Sequence, residues 1–192
     1  MTSTRRWLLG AVTVLTLTGC SYTINGDALP ESGFTPATTA APATATTTPA
    51  GDGAPKIAKQ RSVAGVDPCK LLTADDLKPV GALTREPARK DDVIQESCQY
   101  VFDGASVVTA LYQKYEHVRQ RQPKGREAVV EGHSSWVSCD LDGNAMVCTT
   151  TTAVNPNRSI LVAMTLNGGK AEQMFATLQP LIKASLNRLP QG

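Results

Sequence analysis

The chain has 192 residues and a formal net charge of +2. Taking Arg5 and Arg6 from its 19 basic side chains leaves 17 beyond residue 19, matched by 17 acidic ones, so the body of the protein has no general electrostatic pull toward nucleic acid or anionic lipid. Two Trp and three Phe are also too few for an aromatic-lined nucleic-acid site.

Residues 1–19 read as an export leader. Arg5 and Arg6 form a basic start, and Trp7 to Thr18 is a mostly apolar run. That run of about a dozen residues falls short of the roughly 20 that span a bilayer, and suits the apolar region of a signal peptide. Leu17-Thr18-Gly19-Cys20 resembles a bacterial lipobox, an aliphatic residue and two small ones before Cys. Small residues let the chain lie extended in a peptidase, and the thiol is the group that becomes a thioether to diacylglycerol. The resemblance implies cleavage before Cys20, acylation of its new amine, and a lipid anchor on the extracytoplasmic face of the cell membrane. The Arg5-Arg6 pair alone is a weak twin-arginine signal, so a general secretory leader is expected.

Residues 20–65 read as a tether. Thr35 to Pro55 is nearly all Thr, Ala, Pro and Gly, with too few large apolar groups to offset the entropy of ordering. As a coil, about 40 such residues reach on the order of 35 Å. The composition is also that of O-glycosylated stalks.

Residues 66–192 have the size of one domain. Thr73, with Asp76 three positions on and Leu72 and Leu77 to staple it, starts a short helix that ends by Gly81. Ser97 to Phe102 alternates, with Cys98, Tyr100 and Phe102 on one face, and Asp103-Gly104 signals a hairpin into a strand from Ser106 to Tyr115. Gln113 to Arg126 is polar and basic, a short helix or loop ending at Pro123 and Gly125. Glu127 to Cys139, Ala145 to Val154 and Ser159 to Leu166 are three further strands, the last two separated by the turn Asn155-Pro156-Asn157. Lys170 to Leu189 carries the stripe Ala171, Met174, Phe175, Leu178, Leu181, Ile182, Ser185 and Leu189 at helical spacing. Pro180 predicts a kink or break in it. Helix, antiparallel strands and helix make an α+β domain with a sheet of about five strands.

Of five cysteines, Cys20 goes to the lipid, leaving Cys69, Cys98, Cys139 and Cys148 for two disulfides, the usual state outside the cytoplasm. Zinc would want closer pairs and more His, and no metal or other cofactor is expected. If Gly143-Asn144 is a two-residue type II′ turn, with Gly first, then Cys139 faces Cys148 at a non-hydrogen-bonded position, where Cα atoms lie about 4.5 Å apart. That is inside the disulfide window. The pairing Cys139–Cys148 leaves Cys69–Cys98, which closes a loop of about 30 residues and stabilises by roughly 3–4 kcal/mol.

The chain resembles the actinobacterial LprB/LprC-like envelope lipoproteins, a family of unknown function. The resemblance rests on the lipobox leader, the small-residue tether and Ile24-Asn25-Gly26-Asp27-Ala28 after the acylated Cys. It also rests on Cys69 with Leu71-Leu72-Thr73, on Cys98-Gln99-Tyr100, on Gly132 to Trp136 and on the strand of Cys148. It implies location and fold and no activity.

Chemistry is sparse. His133-Ser134-Ser135 near Asp140 invites a hydrolase reading, but adjacent residues of a strand point to opposite faces, and no Gly-x-Ser-x-Gly elbow is present. Asp75-Asp76 and Asp91-Asp92 are isolated, as solvated loop charges are. The one charge cluster is Lys114, His117, Arg119, Arg121, Lys124 and Arg126. Within it Arg119, Arg121 and Lys124 are candidates to contact an anionic lipid or wall polymer; the plainer alternative is a solvated face. The expected function is a non-catalytic binding module for an envelope lipid, polymer or protein. A structural partner of another envelope protein is the second expectation, and an enzyme the third.

Overall fold

The structure is a computed structural model that describes residues 53–192. The leader, Cys20 and the tether through residue 52 lie outside the described residues. Alternation of period two, interrupted by two-residue turns, produces most of the sheet. Its strands are β1 (Ala88–Arg89), β2 (Ser97–Phe102), β3 (Ala105–Tyr112), β4 (Arg126–Val130), β5 (His133–Asp142), β6 (Ala145–Asn155) and β7 (Arg158–Asn167). They form one sheet, antiparallel throughout, in the order β1-β2-β3-β7-β6-β5-β4.

The fold class is the expected α+β, with seven strands in place of about five. The segment 127–139, read as one strand, is the hairpin β4–β5, folded at Glu131 (φ 51°) and Gly132 (φ 77°). Positive φ at both central residues is the type I′ geometry, and a Glu in the first of them is no turn signal. The other addition, β1, is two exposed residues on the edge beside β2. At the β5–β6 hairpin Gly143 takes φ 60° and Asn144 stays outside the left-handed region, as a type II′ turn requires. Asp142 therefore faces Ala145, and Cys139 faces Cys148.

One face of the sheet holds the core. Tyr100, Val107, Met164, Cys148 and Cys139 lie opposite one another across five strands. Helix α3 (Ala171–Arg188) covers this face with Met174, Leu178, Leu181, Ile182 and Leu186, all buried. Burying each such side chain contributes roughly 1.5–3 kcal/mol. α3 runs continuously through Pro180, so of the expected kink or break the break does not occur. Pro180 is on the exposed side of the helix, where water can reach the carbonyl that the missing N–H leaves without a donor.

Two disulfides pin the edges of this layer. Cys69, in a 3-10 turn (Pro68–Lys70), bonds Cys98 of β2, and Cys139 bonds Cys148 across β5 and β6, with Cα atoms 4.1 Å apart. Next to the first bridge, α1 (Ala74–Leu77) begins at Thr73, whose backbone N–H donates to Asp76 Oδ2 at 2.7 Å. Arg188 of α3 pairs with the same carboxylate at 2.8 Å.

The packed chain starts before residue 66, the expected boundary. Residues 56–63 form a strap along the sheet. Lys56 N–H donates to Ser134 Oγ at 2.9 Å, and Ser134 N–H to Lys56 O at 2.8 Å. Arg61 N–H donates to Val154 O at 2.9 Å, and Val63 is buried. A bulge at the end of β6, where the register shifts between Ala153 and Asn155, accompanies this insertion. The strap is held mainly through its backbone, and backbone hydrogen bonds leave no apolar pattern in a sequence.

Candidate functional site

The sheet face opposite α3 is covered at one end by α2 (Tyr115–Arg121), which packs on β5 and β6. Tyr115 and Val118, one turn apart, bury onto Trp136 and Ala153, joined by Tyr112 and by Ile57 of the strap. That seating turns His117 and Arg121 outward. The helix ends where Gln122 leaves helical geometry, one residue before Pro123. The following loop is clamped by Trp136, whose indole N–H donates to Gln122 O at 3.0 Å. Gly125 lies against the same ring: a Cβ there would sit 2.1 Å from Trp136 Nε1. The loop can therefore lie flat on the indole only with glycine at this place.

Beside the last turn of α2 is an open depression of about 600 Å³, lined by loop 93–96, Leu111, Tyr112, Gln113, Arg121 and Arg158. Arg158 is engaged within it. Its guanidinium donates to Glu96 Oε2 at 2.6 Å, to Tyr112 O at 3.1 Å and to Leu111 O at 3.3 Å. Glu96 takes φ 52° to offer that carboxylate. The Arg158 charge is thus neutralised, and Arg121, whose Nε donates only to His117 O at 3.3 Å, sets the sign of the depression. A second depression, of about 410 Å³ between α1 and α3, has both of its cations ion-paired, Lys183 with Glu131 and Arg188 with Asp76.

The three candidate contacts fall out differently. Arg121 reaches the depression, and Lys124 is exposed on the clamped loop. Arg119 is half-buried, near enough to Tyr115 for its charge to act on the phenol. Burial, with the charge of Glu127 adding to it, still pushes the Tyr115 phenol above its ordinary value. The His/Ser segment is not a catalytic arrangement. His133 Nδ1 lies 2.7 Å from Ala153 O on the core face, while Ser134 points to the opposite face and donates to Glu127 Oε1 at 2.5 Å. Ser135 pairs with Thr152 at 2.8 Å. Sequence reasoning passed over Arg158 and Glu96. The only hint was an Arg opening an otherwise apolar strand, and nothing local marked Glu96 as its partner 62 residues away.

Compared with known families, the chain matches the protein of unknown function family DUF3558 over residues 15–175. The chain belongs to the DUF3558 family. No curated protein and no solved structure matches it. In this DUF3558 domain the two disulfides are the chemistry of an oxidising, extracytoplasmic compartment. No helix among the described residues is long and apolar enough to cross a membrane.

Proposed function

We propose that this DUF3558 protein is a lipoprotein held by diacylglycerol on Cys20 at the outer face of the cell membrane, where its domain is a non-catalytic binding module. The observation that carries the anchor is the lipobox Leu17-Thr18-Gly19-Cys20, which falls inside the family match beginning at residue 15. The disulfides agree with that compartment, and the motifs shared with LprB/LprC-like lipoproteins point the same way. The binding role rests on the α2 end of the domain, where an exposed Arg121 without a carboxylate partner among the described residues opens onto a broad depression. Its ligand is an anionic envelope lipid, polymer or protein. The absence of catalysis is supported by His133 and Ser134, which are tied to different partners on different faces.

Mass spectrometry of the protein extracted from native membranes tests the anchor: diacylglyceryl mass on a peptide beginning at Cys20 is expected, and Cys20→Ser should remove it. Diacyl mass persisting on the Cys20→Ser protein overturns the assignment. Material co-purified with the lipidated protein identifies the ligand class. A second reading, an accessory subunit of another envelope protein, is favoured by the sheet face beyond α2, where Val101, Val108 and Ala163 remain partly exposed.

A further inference from the structure

We infer that the strap and α2 together form a basic platform that docks the domain onto the anionic headgroups of the membrane to which the chain is anchored; the inference rests on the lipoprotein reading above. The first observation is one of charge placement. Among the described residues the ion pairs engage Lys78, Arg89, Lys90, Arg158, Lys183 and Arg188. Of the cations outside those pairs, Lys56, Lys59, Lys114, Arg121 and Lys124 lie on the strap, α2 and the residues flanking it, while Lys70, Arg85 and Lys170 lie elsewhere. Of the acids at this end, Glu131 pairs with Lys183, and the charges left on Glu116 and Glu127 are outnumbered by those five cations. Positive charge is left outward, in a body whose formal charges balance.

The second observation is that two distant segments contribute. Ile57 is packed with Tyr115, Val118 and Trp136, so Lys56 and Lys59 flank a residue seated under α2. Ala58 then passes over the β4–β5 turn, 2.7 Å from where a Gly132 Cβ would be. Both lysines are exposed, as are Arg121 and Lys124. The clamp from Trp136 to Gln122, two residues before Lys124, ties the loop to the same tryptophan on which Ile57 packs.

The third observation chooses the occupant. The described chain begins at Gly53, three residues before Lys56, and Cys20 is 33 positions earlier. A segment of that length spans at most about 115 Å even when fully extended, so a lipid on Cys20 keeps the domain within that distance of the bilayer. Anchorage through this end holds the lipid surface at a raised effective concentration around Lys56 and Lys59, which lets weak contacts persist. A free wall polymer gains nothing from this position, whereas a lipid surface does.

The test uses the chain from residue 20 with Cys20→Ser, so that no acyl group contributes, in sedimentation with vesicles of phosphatidylcholine alone or mixed with phosphatidylglycerol. Binding is expected only to the mixed vesicles and should fall with salt. Lys56→Gln with Lys59→Gln, and separately Arg121→Gln with Lys124→Gln, should each weaken it by about 30-fold, since each cation near the surface contributes roughly five-fold. Lys70→Gln with Lys170→Gln, exposed but away from the platform, should leave it within about two-fold. Equal binding to both vesicles, an equal loss in the Lys70/Lys170 control, or capture by soluble poly(glycerol phosphate) with none by vesicles would each overturn the inference. Failure of the anchor itself is read independently, from the mass of the Cys20 peptide.

Discussion

At Gly125 a single missing side chain shapes the basic end of the molecule. Gly125→Ala forces the Trp136 indole off Tyr115, Val118 and Ala153 or lifts the loop from the sheet, and overpacking of this kind costs about 1–3 kcal/mol. In the chain cleaved before Cys20, Trp136 is the only tryptophan, so a red-shifted emission together with a lower urea midpoint is the expected reading. Buried hydroxyls give a paired test. Thr150 is fully buried beneath α3 and its hydroxyl has no partner, whereas Thr109, in the same row, donates to Pro68 O at 2.8 Å. Thr150→Val should stabilise by about 1 kcal/mol and Thr109→Val should destabilise by about 1–2 kcal/mol, both measured by chemical denaturation. Equal effects of the two substitutions would show that hydrogen bonding is not what separates them.

Among the elements, legibility followed the turn chemistry. β2 and β7 carry apolar residues at every second position, β3 and β6 are rich in Val and Thr, and the turns Asp103-Gly104, Gly143-Asn144 and Asn155-Pro156-Asn157 bound them, so each could be read from the sequence. The register of β5 on β6 followed from Gly143 alone. β4 and β5 merged in the reading because Glu131 carries a positive φ that only its tertiary setting enforces. For α1, burial works against ionisation of Asp76, but its hydrogen bonds with Thr73 and the charge of Arg188 outweigh it and hold the carboxyl below its ordinary value. A folded value below the unfolded one, near 3.8, means the carboxylate's contribution is complete above that pH and is lost as pH falls through the folded value. Asp76→Asn should therefore lower the urea midpoint at pH 6, and the difference from the parent protein should shrink below about pH 4. A difference independent of pH would mean that the charge is not involved.

For the whole molecule, alternation and helical stripes were enough for the class α+β but not for the order of strands. β3 and β7 are neighbours although β4, β5 and β6 intervene in sequence, and no local pattern announces that pairing. The basic site was partly legible: Arg121 and Lys124 stood out as charges, while Lys56 and Lys59 were hidden in what reads as tether. The strap makes a prediction at this scale. Limited proteolysis should leave a core beginning near Lys56, and a chain starting at Val66 should unfold at lower urea, having lost Val63 burial and the bonds to Ser134 and Val154. Trimming to Val66 with no change in midpoint would count against it.

The disulfide connectivity has a consequence for biogenesis. The bridges join first to second and third to fourth among the cysteines of the domain, with separations of 29 and 9 residues. A polypeptide threading N-terminus first into an oxidising compartment meets its correct partner each time as the next thiol to arrive. Native oxidation then needs no reshuffling by an isomerase, and each loop closes before the strands that flank it are complete. The exception is Cys20, which arrives earliest; the proposed thioether would silence it, whereas a free thiol would stand first in line for Cys69. Acylation of Cys20, as proposed above, would thus guard the oxidation sequence as well as supply the anchor.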